Sequence, residues 1–485
     1  MRNTVLQFLT QVATAAFTSG LTLFLVRKLG ASGYGIYSLA YSIGGLALLP
    51  AGLGLPTAVG RFLADHRSDV GQMRAILALG LKLQVPAALV SGAGLFALAG
   101  AIADAYGHPA LGWPLRWMGC AVVAQAIFGL FTSTCMSIRR ISGSLWMVVI
   151  ESAIETFAAV ALVLAGAGAA GALLGKAIGY AVAAVAGFVL VSRLLGGMRR
   201  RGVLPSAVHT RSIVSYAGVL FVVNATWQAI AQMDILLIGA LLSSAAVGSF
   251  GAVLKILTLL GYLGIAVSGG VAPRLSLGGG APDTRTFNAA LRYLLIVQGL
   301  VIAPMLVWPK PIVGLLLGHG YSSSPAILRV LTVQAFVSAP ASLASVSVSY
   351  LGEGRRRVMI MLATLALGIV STYVLLRVMG LLGAAVADDL VQVVYVSAHL
   401  WLCSRLFAVE FALLTRSLLR TLLAAAAMTV PMLAMGVDHL SVLDWVVGGA
   451  GGLAAYLATL LLSREISLAE LRRLATRIRL ASVPR

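Results

Sequence analysis

The sequence predicts an all-α polytopic membrane protein with about fourteen transmembrane helices. Of its 485 residues, 60% are hydrophobic and 10% are charged, and the mean hydropathy is +0.99. A soluble domain carries about 25% charged residues, so this chain cannot cover a water-exposed surface. Fourteen apolar segments are long enough to cross a bilayer. Their predicted limits are 4–26, 36–59, 75–103, 115–137, 145–166, 170–192, 213–238, 247–272, 293–317, 327–351, 358–376, 381–403, 419–435 and 443–462.

Basic residues are distributed unevenly between the two sides of the predicted membrane. When the N-terminus is placed inside, 26 of the 35 Lys and Arg residues lie in the termini and loops of the inner side, and four lie on the outer side. Cytoplasmic loops of membrane proteins carry an excess of Lys and Arg. The distribution therefore predicts an inner-membrane protein with both termini in the cytoplasm. It also explains the net charge of +20 without nucleic-acid binding.

The first twelve spans divide into two halves of six that match weakly at an offset of about 213 residues. Residues 35–37 align with 248–250, and residues 60–61 align with 273–274. Six spans per half make the repeats parallel, and parallel repeats usually enclose a substrate path between them. The predicted division is an N-lobe of helices 1–6 at 1–195, a basic cytoplasmic linker at 196–212, a C-lobe of helices 7–12 at 213–405, helices 13–14 at 406–462, and a cytoplasmic tail at 463–485.

The C-terminal tail has the pattern of an amphipathic helix. Ser467 and Glu470 have the spacing of a capping box, and Leu and Ile residues at helical spacing oppose several arginines. We expect this helix to lie on the cytoplasmic leaflet and to contact anionic lipid headgroups. Binding to a partner protein is the alternative interpretation.

Helix 1 and helix 7, the first helices of the two halves, each carry a stripe of polar residues at helical spacing. Two equivalent stripes favour a common central cavity, and hydrogen bonding between helices is the alternative. The stripes consist of Asn3, Gln7, Gln11, Thr14, Thr18 and Thr22 in helix 1, and of Asn224, Gln228 and Gln232 in helix 7.

Several acidic residues lie inside predicted spans. Glu151 and Glu155 are four residues apart on helix 5 and share a face, and Asp234 lies deep in helix 7. Isolated charges are costly in lipid, so these groups should pair, become neutral or meet water. Lys176 and Asp388 occupy corresponding positions in the two halves, which suggests a salt bridge between the halves. Alternatively, a carboxylate of this set binds a proton or a sodium ion and couples it to movement.

Basic residues inside or beside the spans can attract a phosphate-bearing headgroup. Lys255 in helix 8 and Arg61 at an inner helix end are the strongest candidates. The other candidate cations are Lys82, Lys176, Arg274 and Arg329.

Sequence motifs of enzymes are absent from the chain. It contains no phosphate-binding P-loop, no HExxH and no GxSxG motif, and its three cysteines and six histidines show no metal-ligand spacing. We therefore expect a protein without catalytic residues, bound metal or cofactor. A proton or sodium gradient is the expected energy source.

Several segments resemble a known family when taken in order. They are LVRKLGASGYGIYSLAYS, LPAGLGLPTAVGRFLAD, QMDILLIGALLSSAAVGSFGAVLKI, APRLS, LLLGHGYSSSPAILRVL and GLLGAAVADDL. Together they resemble the polysaccharide transporter family of O-antigen (Wzx-type) and exopolysaccharide flippases. This family belongs to the multidrug/oligosaccharidyl-lipid/polysaccharide exporter superfamily. The resemblance covers roughly residues 1–405.

The resemblance implies a V-shaped bundle of two lobes that alternates between inward-open and outward-open states around a cationic cavity lined by helices 1, 2, 7 and 8. The implied substrate is a polyprenyl-diphosphate-linked oligosaccharide, moved across the bacterial inner membrane for lipopolysaccharide or exopolysaccharide synthesis. The implied partners are membrane lipids, glycosyltransferases and a polysaccharide polymerase. In this hypothesis, cations of the cavity bind the diphosphate, and Gln, Asn and Thr side chains bind the sugars.

Two other transport functions and one different class remain as alternatives. The chain can be a cation-coupled multidrug extruder, for which a more acidic and aromatic cavity is expected. It can also be a flippase of the lipid II type. A membrane scaffold or a polymer-modifying enzyme is the third alternative, for which the sequence offers no site.

Overall fold

The computed structural model describes residues 2–196, 210–275 and 283–467. Within these ranges the chain is helical and forms no strand. Helices satisfy all backbone hydrogen bonds within one segment, as a lipid environment requires. The helices are α1 Arg2–Gly52, α2 Leu55–Asp65, α3 Val70–Ala105, α4 Gly112–Ser137, α5 Ile141–Leu164, α6 Gly168–Gly196, α7 Thr210–Leu241, α8 Ser244–Val271, α9 Thr284–Gly299, α10 Ile302–Val307, α11 Pro309–Leu316, α12 Ser324–Val330, α13 Thr332–Tyr350, α14 Gly354–Met379, α15 Leu381–Leu406, α16 Phe411–Ala434 and α17 Val442–Leu462.

The described helices agree with the predicted multi-pass membrane fold. Eleven of them are long and apolar enough to cross a membrane, or twelve if the bent pair α12 and α13 forms one span. Helix α1 contains the first predicted span and most of the second, on either side of Gly30, whose φ of 66° and ψ of 178° interrupt the helical backbone. Helix α8 corresponds to the eighth predicted span. The described helices are thus approximately consistent with the predicted count of about fourteen spans.

Three predicted spans are broken in the structure. The span predicted at 36–59 ends early, because Leu53 and Gly54 have positive φ and α2 begins after them as a separate amphipathic helix. The span predicted at 293–317 contains the end of α9 followed by α10 and α11, and Pro309 begins α11. The span predicted at 327–351 consists of α12 and α13, which meet at a bend of 47°.

The first compact unit, Met1–Ala252, contains α1 to α7 and the start of α8. Small residues bring its helices close together: Gly92 of α3 and Gly119 of α4 each lie against the other's carbonyl oxygen, and Gly175 of α6 lies against Ala159 of α5. The hydrophobic effect does not drive association between helices inside lipid. Close packing at small residues stabilises their association instead.

The start of α8 packs against α1 just after the break at Gly30, within the first unit. A Cβ atom on Gly35 would overlap the carbonyl group of Ser244, and a Cβ atom on Gly248 would overlap the carbonyl group of Ala31. The hydroxyl oxygens of Ser32 and Ser244 are 2.8 Å apart. The two helices are therefore in backbone contact at this crossing.

The second compact unit, Val253–Arg485, has two hydrophobic clusters. One is built mainly by α9, α13 and α15, with Phe287 and Phe407 in edge contact at a ring-centroid distance of 4.8 Å. The other is built mainly by α10, α16 and α17, with Trp308 and Tyr456 buried at its centre. The predicted helices 13 and 14 are thus packed on the rest of this unit.

The two compact units and the predicted lobes are divided at different places. The boundary between the units falls inside α8, whereas the repeat places it at 196–212. Division by repeat remains a prediction, because compactness and internal repetition are different criteria. Most of the linker at 196–212 lies outside the described residues, and so does the tail beyond Ser467, including Glu470 of the predicted capping box.

Candidate functional site

A cluster of charged and aromatic side chains lies inside the first unit, where α1, α5 and α6 meet. Glu151 and Glu155 come from α5, Lys176 comes from α6, and all three lie within helices that are long and apolar enough to span a membrane. Glycine makes room for the cluster, since Gly179 of α6 lies directly against the backbone of Glu155. The sequence analysis placed Glu151 and Glu155 on one face of a helix and treated Lys176 separately, and the structure brings all three together.

Lys176 and Glu155 form a buried ion pair. The Lys176 Nζ atom is 2.9 Å from Glu155 Oε1 and 3.1 Å from Oε2, so the ammonium group bridges both carboxylate oxygens. The two side chains are only 8% and 12% exposed. This pair corrects the interpretation that Lys176 is a headgroup-binding cation or the partner of Asp388, because its ammonium group is engaged by Glu155.

Aromatic rings surround the ammonium group of Lys176. The Nζ atom lies 5.3 Å from the ring centroid of Tyr41 and 5.0 Å from that of Tyr180, within the range of cation–π attraction. Tyr37 stacks on Tyr41 and on Tyr34, with centroid distances of 6.3 Å and 5.7 Å. The sequence analysis missed these tyrosines. For Tyr34, Tyr37 and Tyr41, the spacing of three and four residues on α1 was the signal that could have identified them.

The cluster contains more acidic than basic groups. Glu151 is buried, and its carboxylate accepts a hydrogen bond from the Ser152 hydroxyl group at 3.0 Å. The cluster therefore holds two carboxylate groups and one ammonium group, which leaves one negative charge if all three are ionised. An uncompensated charge at such a site costs several kcal/mol. The arrangement is suited to bind one proton or one monovalent cation.

The other acidic candidates lie apart in the sequence and on different helices. Asp234 is buried in α7 of the first unit, and Asp388 is buried in α15 of the second unit. Both take part in polar interactions. Their proposed role in ion coupling remains a prediction.

The polar stripe of α7 lies partly against α1. The side-chain amides of Gln228 and Gln232 lie next to Gly45, and Asn224 is exposed. In α1, Thr14 is half-buried and its hydroxyl group has no hydrogen-bond partner among the described residues. The side chains of Gln7 and Gln11 lie outside the described part of the structure. That the two stripes share one cavity therefore remains a prediction.

The basic candidates are mostly exposed. The Arg61 guanidinium group of α2 stacks on the ring of Tyr216 in α7, 4.5 Å from its centroid. Lys255 in α8 is exposed and makes a polar interaction, whereas the side chain of Arg274 lies outside the described residues. The remaining cations of this set, Lys82 and Arg329, are also exposed.

A second buried charged cluster lies in the second unit, just after the end of α17. The Glu465 carboxylate accepts hydrogen bonds from Arg292 Nε at 2.7 Å, from the Ser417 hydroxyl group at 2.7 Å and from Arg420 Nη1 at 3.0 Å. Burial alone would raise the pKa of Glu465, but these hydrogen bonds hold it below its usual value. The sequence analysis missed this cluster, and no local pattern indicates it, because its members come from three separate segments.

One protein family matches this chain over more than half of its length. The family model described as "Polysaccharide biosynthesis protein" matches residues 1–277, which is more than half of the chain. No match was found among curated protein sequences.

Among solved structures, the "Lipid II flippase MurJ, inward closed conformation" is similar with a TM-score of 0.71 and 14% identity, over 94% of this chain and 99% of that chain. An inward-facing multidrug resistance MATE family transporter has a TM-score of 0.66 and 13% identity, over 81% of this chain and 94% of that one. The MATE multidrug transporter DinF-BH has a TM-score of 0.61 and 15% identity, with coverages of 83% and 95%. At these identities the similarity shows the fold. By the family match and by this fold, the chain is a multi-pass membrane protein that belongs to the polysaccharide biosynthesis protein family.

Proposed function

We propose that this chain is a flippase that moves a polyprenyl-diphosphate-linked oligosaccharide from the cytoplasmic to the periplasmic leaflet of the bacterial inner membrane. Two observations together carry the proposal. The chain belongs to a family described as polysaccharide biosynthesis proteins, and its fold is similar to that of a lipid II flippase over 94% of its length. Its cargo is then a repeat unit for O-antigen or exopolysaccharide. Glycosyltransferases supply this substrate, and a polymerase consumes the product.

The exposed basic residues are the proposed binding groups for the diphosphate. Arg61 is exposed and is held by its contact with the Tyr216 ring, so that its planar guanidinium group is oriented before a phosphate arrives. Lys255 is also exposed on α8. Arg274 completes the proposed set, and the amides of Asn224, Gln228 and Gln232 are the proposed groups for the sugars.

The proposed energy source is a proton or sodium gradient that acts through the cluster of Glu151, Glu155 and Lys176. The observation that supports this choice is the surplus of one carboxylate in a buried site. Binding of one cation neutralises the surplus charge, and its release restores it. Because the surplus charge is costly to bury, its neutralisation favours one packing arrangement of α1, α5 and α6, and its return favours another.

The flippase proposal is tested in cells that produce the glycan. A strain that depends on this chain for export is complemented with wild type, Lys255→Ala or Arg61→Ala, and the lipid-linked glycan is quantified in the cytoplasmic leaflet. Loss of export together with accumulation of the lipid-linked glycan, at normal protein levels in the membrane, is expected for both variants. Normal export by Lys255→Ala would remove this residue from the mechanism. Normal export by cells that lack the chain altogether would refute the proposed function.

Extrusion of multidrug substrates is the second candidate function. It is favoured by the similarity to MATE transporters, which are described as multidrug transporters. Increased drug resistance on overexpression, with unchanged glycan export after deletion of the gene, would support extrusion instead of flipping.

A further inference from the structure

The segment that follows α17 folds back between two other helices of the second unit. Arg464 adopts a positive φ of 54°, a left-handed conformation that is uncommon for a non-glycine residue. The backbone N–H groups of Glu465 and Ile466 both donate to the carbonyl oxygen of Leu460. This turn places Glu465, which is 2% exposed, in contact with α9 and α16.

Glu465 fixes two arginines in defined positions. One carboxylate oxygen accepts from Arg292 Nε of α9 and from the Ser417 hydroxyl group of α16, and the other accepts from Arg420 Nη1 of α16. The side chains of Arg292 and Arg420 are 22% and 40% exposed, respectively. Each guanidinium group is therefore held by the carboxylate, while part of its side chain remains exposed. We call Glu465, Arg292, Ser417 and Arg420 the arginine clamp.

The arginine clamp carries a surplus positive charge. One carboxylate faces two guanidinium groups, so the clamp has a net charge of +1. The Nε and Nη2 groups of Arg420 donate no hydrogen bond within the part of the chain that the structure describes. Arg416 adds a further exposed cation, four residues before Arg420 and on the same side of α16. The clamp therefore offers pre-oriented N–H donors to an anion.

The position of the clamp indicates the kind of anion. Hydropathy places Arg292 and Arg420 at the starts of spans 293–317 and 419–435, and Glu465 just after span 443–462. All three positions belong to the face that the distribution of basic residues assigns to the cytoplasm. Phosphate groups of lipids lie at this depth, and basic pockets between helix ends on this side bind anionic headgroups.

We propose that the arginine clamp binds the headgroup phosphate of an anionic phospholipid from the cytoplasmic leaflet. Glu465 acts as the positioning residue, and Arg420 donates to the phosphate oxygens through its remaining N–H groups. The lipid then supplies the negative charge that the clamp lacks. Because α9, α16 and the segment after α17 build the clamp, the bound lipid lies where helices 13 and 14 meet the rest of the second unit.

Titration of the purified full-length protein in detergent tests this proposal, with native mass spectrometry as the readout. Phosphatidylglycerol is compared with phosphatidylcholine of the same acyl chains. Wild type is expected to prefer phosphatidylglycerol, and Arg420→Gln is expected to lower that affinity about tenfold, as loss of a charge-assisted bidentate contact predicts. Arg355→Gln is the control, because Arg355 is an equally basic, exposed residue of the second unit outside the clamp.

Glu465→Gln separates a built site from general attraction. This variant loses one negative charge, so nonspecific electrostatics predicts tighter binding of phosphatidylglycerol. Loss of the positioning carboxylate predicts weaker binding, by about threefold or more. Arg420→Lys keeps the charge but lacks the planar fork, and it is expected to weaken binding even if Glu465→Gln fails to fold.

Three results would overturn the proposal. The first is equal or tighter binding by Glu465→Gln, and the second is an equal loss of binding in Arg355→Gln. The third is displacement of the lipid by inorganic phosphate that binds with the same dependence on Arg420, which would make the clamp a site for free phosphate.

Discussion

Gly35 and Gly248 lie at equivalent positions of the two sequence repeats, 213 residues apart, and they pack against each other in the structure. The contact is reciprocal, since Gly35 faces Ser244 and Gly248 faces Ala31, and this second pair is also 213 residues apart. Ser38 and Gly251, again separated by 213, are in contact as well. A local two-fold relationship between α1 and α8 explains these pairs, and it supports the internal repeat that the sequence predicted only weakly.

Substitution of Gly35 or Gly248 by alanine should separate α1 from α8. A methyl group at either position would overlap a backbone carbonyl group, which cannot move aside as a side chain can. The free energy of unfolding of each variant is expected to fall by about 1–3 kcal/mol, which is the typical cost of overpacking. Thermal unfolding in detergent measures the loss. Gly20→Ala in α1 is the control, because open space surrounds Gly20, and it should be neutral or stabilising.

The ion pair of Lys176 and Glu155 should be required for stability of the first unit. Lys176→Met leaves two buried carboxylates without a counter-charge, and such a change typically costs about 3–5 kcal/mol. The double variant Lys176→Met, Glu155→Gln removes one charge of each sign, so it should recover much of the loss. Unfolding of the single and double variants measures the coupling. Additive losses in the double variant would show that the two side chains do not stabilise each other.

Glu151→Gln should separate folding from energy coupling. The amide removes the surplus charge but can still accept a hydrogen bond from the Ser152 hydroxyl group, so the fold and membrane level are expected to stay unchanged. Transport driven by a proton or sodium gradient should fall to the level seen without a gradient. The measurement is substrate transfer with and without each gradient. Full gradient dependence in this variant would exclude Glu151 from ion coupling.

Stability of the arginine clamp should depend on pH in the acidic range. The pKa of Glu465 in the folded protein lies below its ordinary value of 4.5. The carboxylate therefore stabilises the fold fully above pH 4.5, and this contribution is lost as the pH falls through the folded pKa. Wild type should progressively lose its stability advantage over Glu465→Gln as the pH is lowered from 6 through 4.5 and below. A constant difference between the two proteins across this range would contradict the assignment.

Hydropathy alone located most membrane spans of this chain, because the lipid environment imposes length and composition on each helix. The i, i+4 spacing also put Glu151 and Glu155 on one face correctly. The partner of Lys176 was not predictable, since repeat symmetry pointed to Asp388 and only packing of α5 on α6 selects Glu155. The breaks inside predicted spans were missed for a related reason, because hydropathy is insensitive to backbone direction.

The arginine clamp shows the limit of sequence reasoning most clearly. Its carboxylate is separated by 173 residues from Arg292 and by 45 residues from Arg420. In the sequence, these arginines are indistinguishable from the other basic residues of the inner loops. Only the turn at Arg464, which has no local sequence signal such as glycine, brings Glu465 back to them.

Translocation by the purified protein is the most direct test of the central claim. The full-length chain is reconstituted in vesicles that contain a fluorescent polyprenyl-diphosphate oligosaccharide, and a membrane-impermeant quencher reports the fraction of headgroups in the outer leaflet. Wild type is expected to transfer the labelled lipid between leaflets, and Arg61→Ala with Lys255→Ala should transfer it no faster than empty vesicles. Transfer at the rate of protein-free vesicles by wild type, with either a proton or a sodium gradient imposed, would contradict the account.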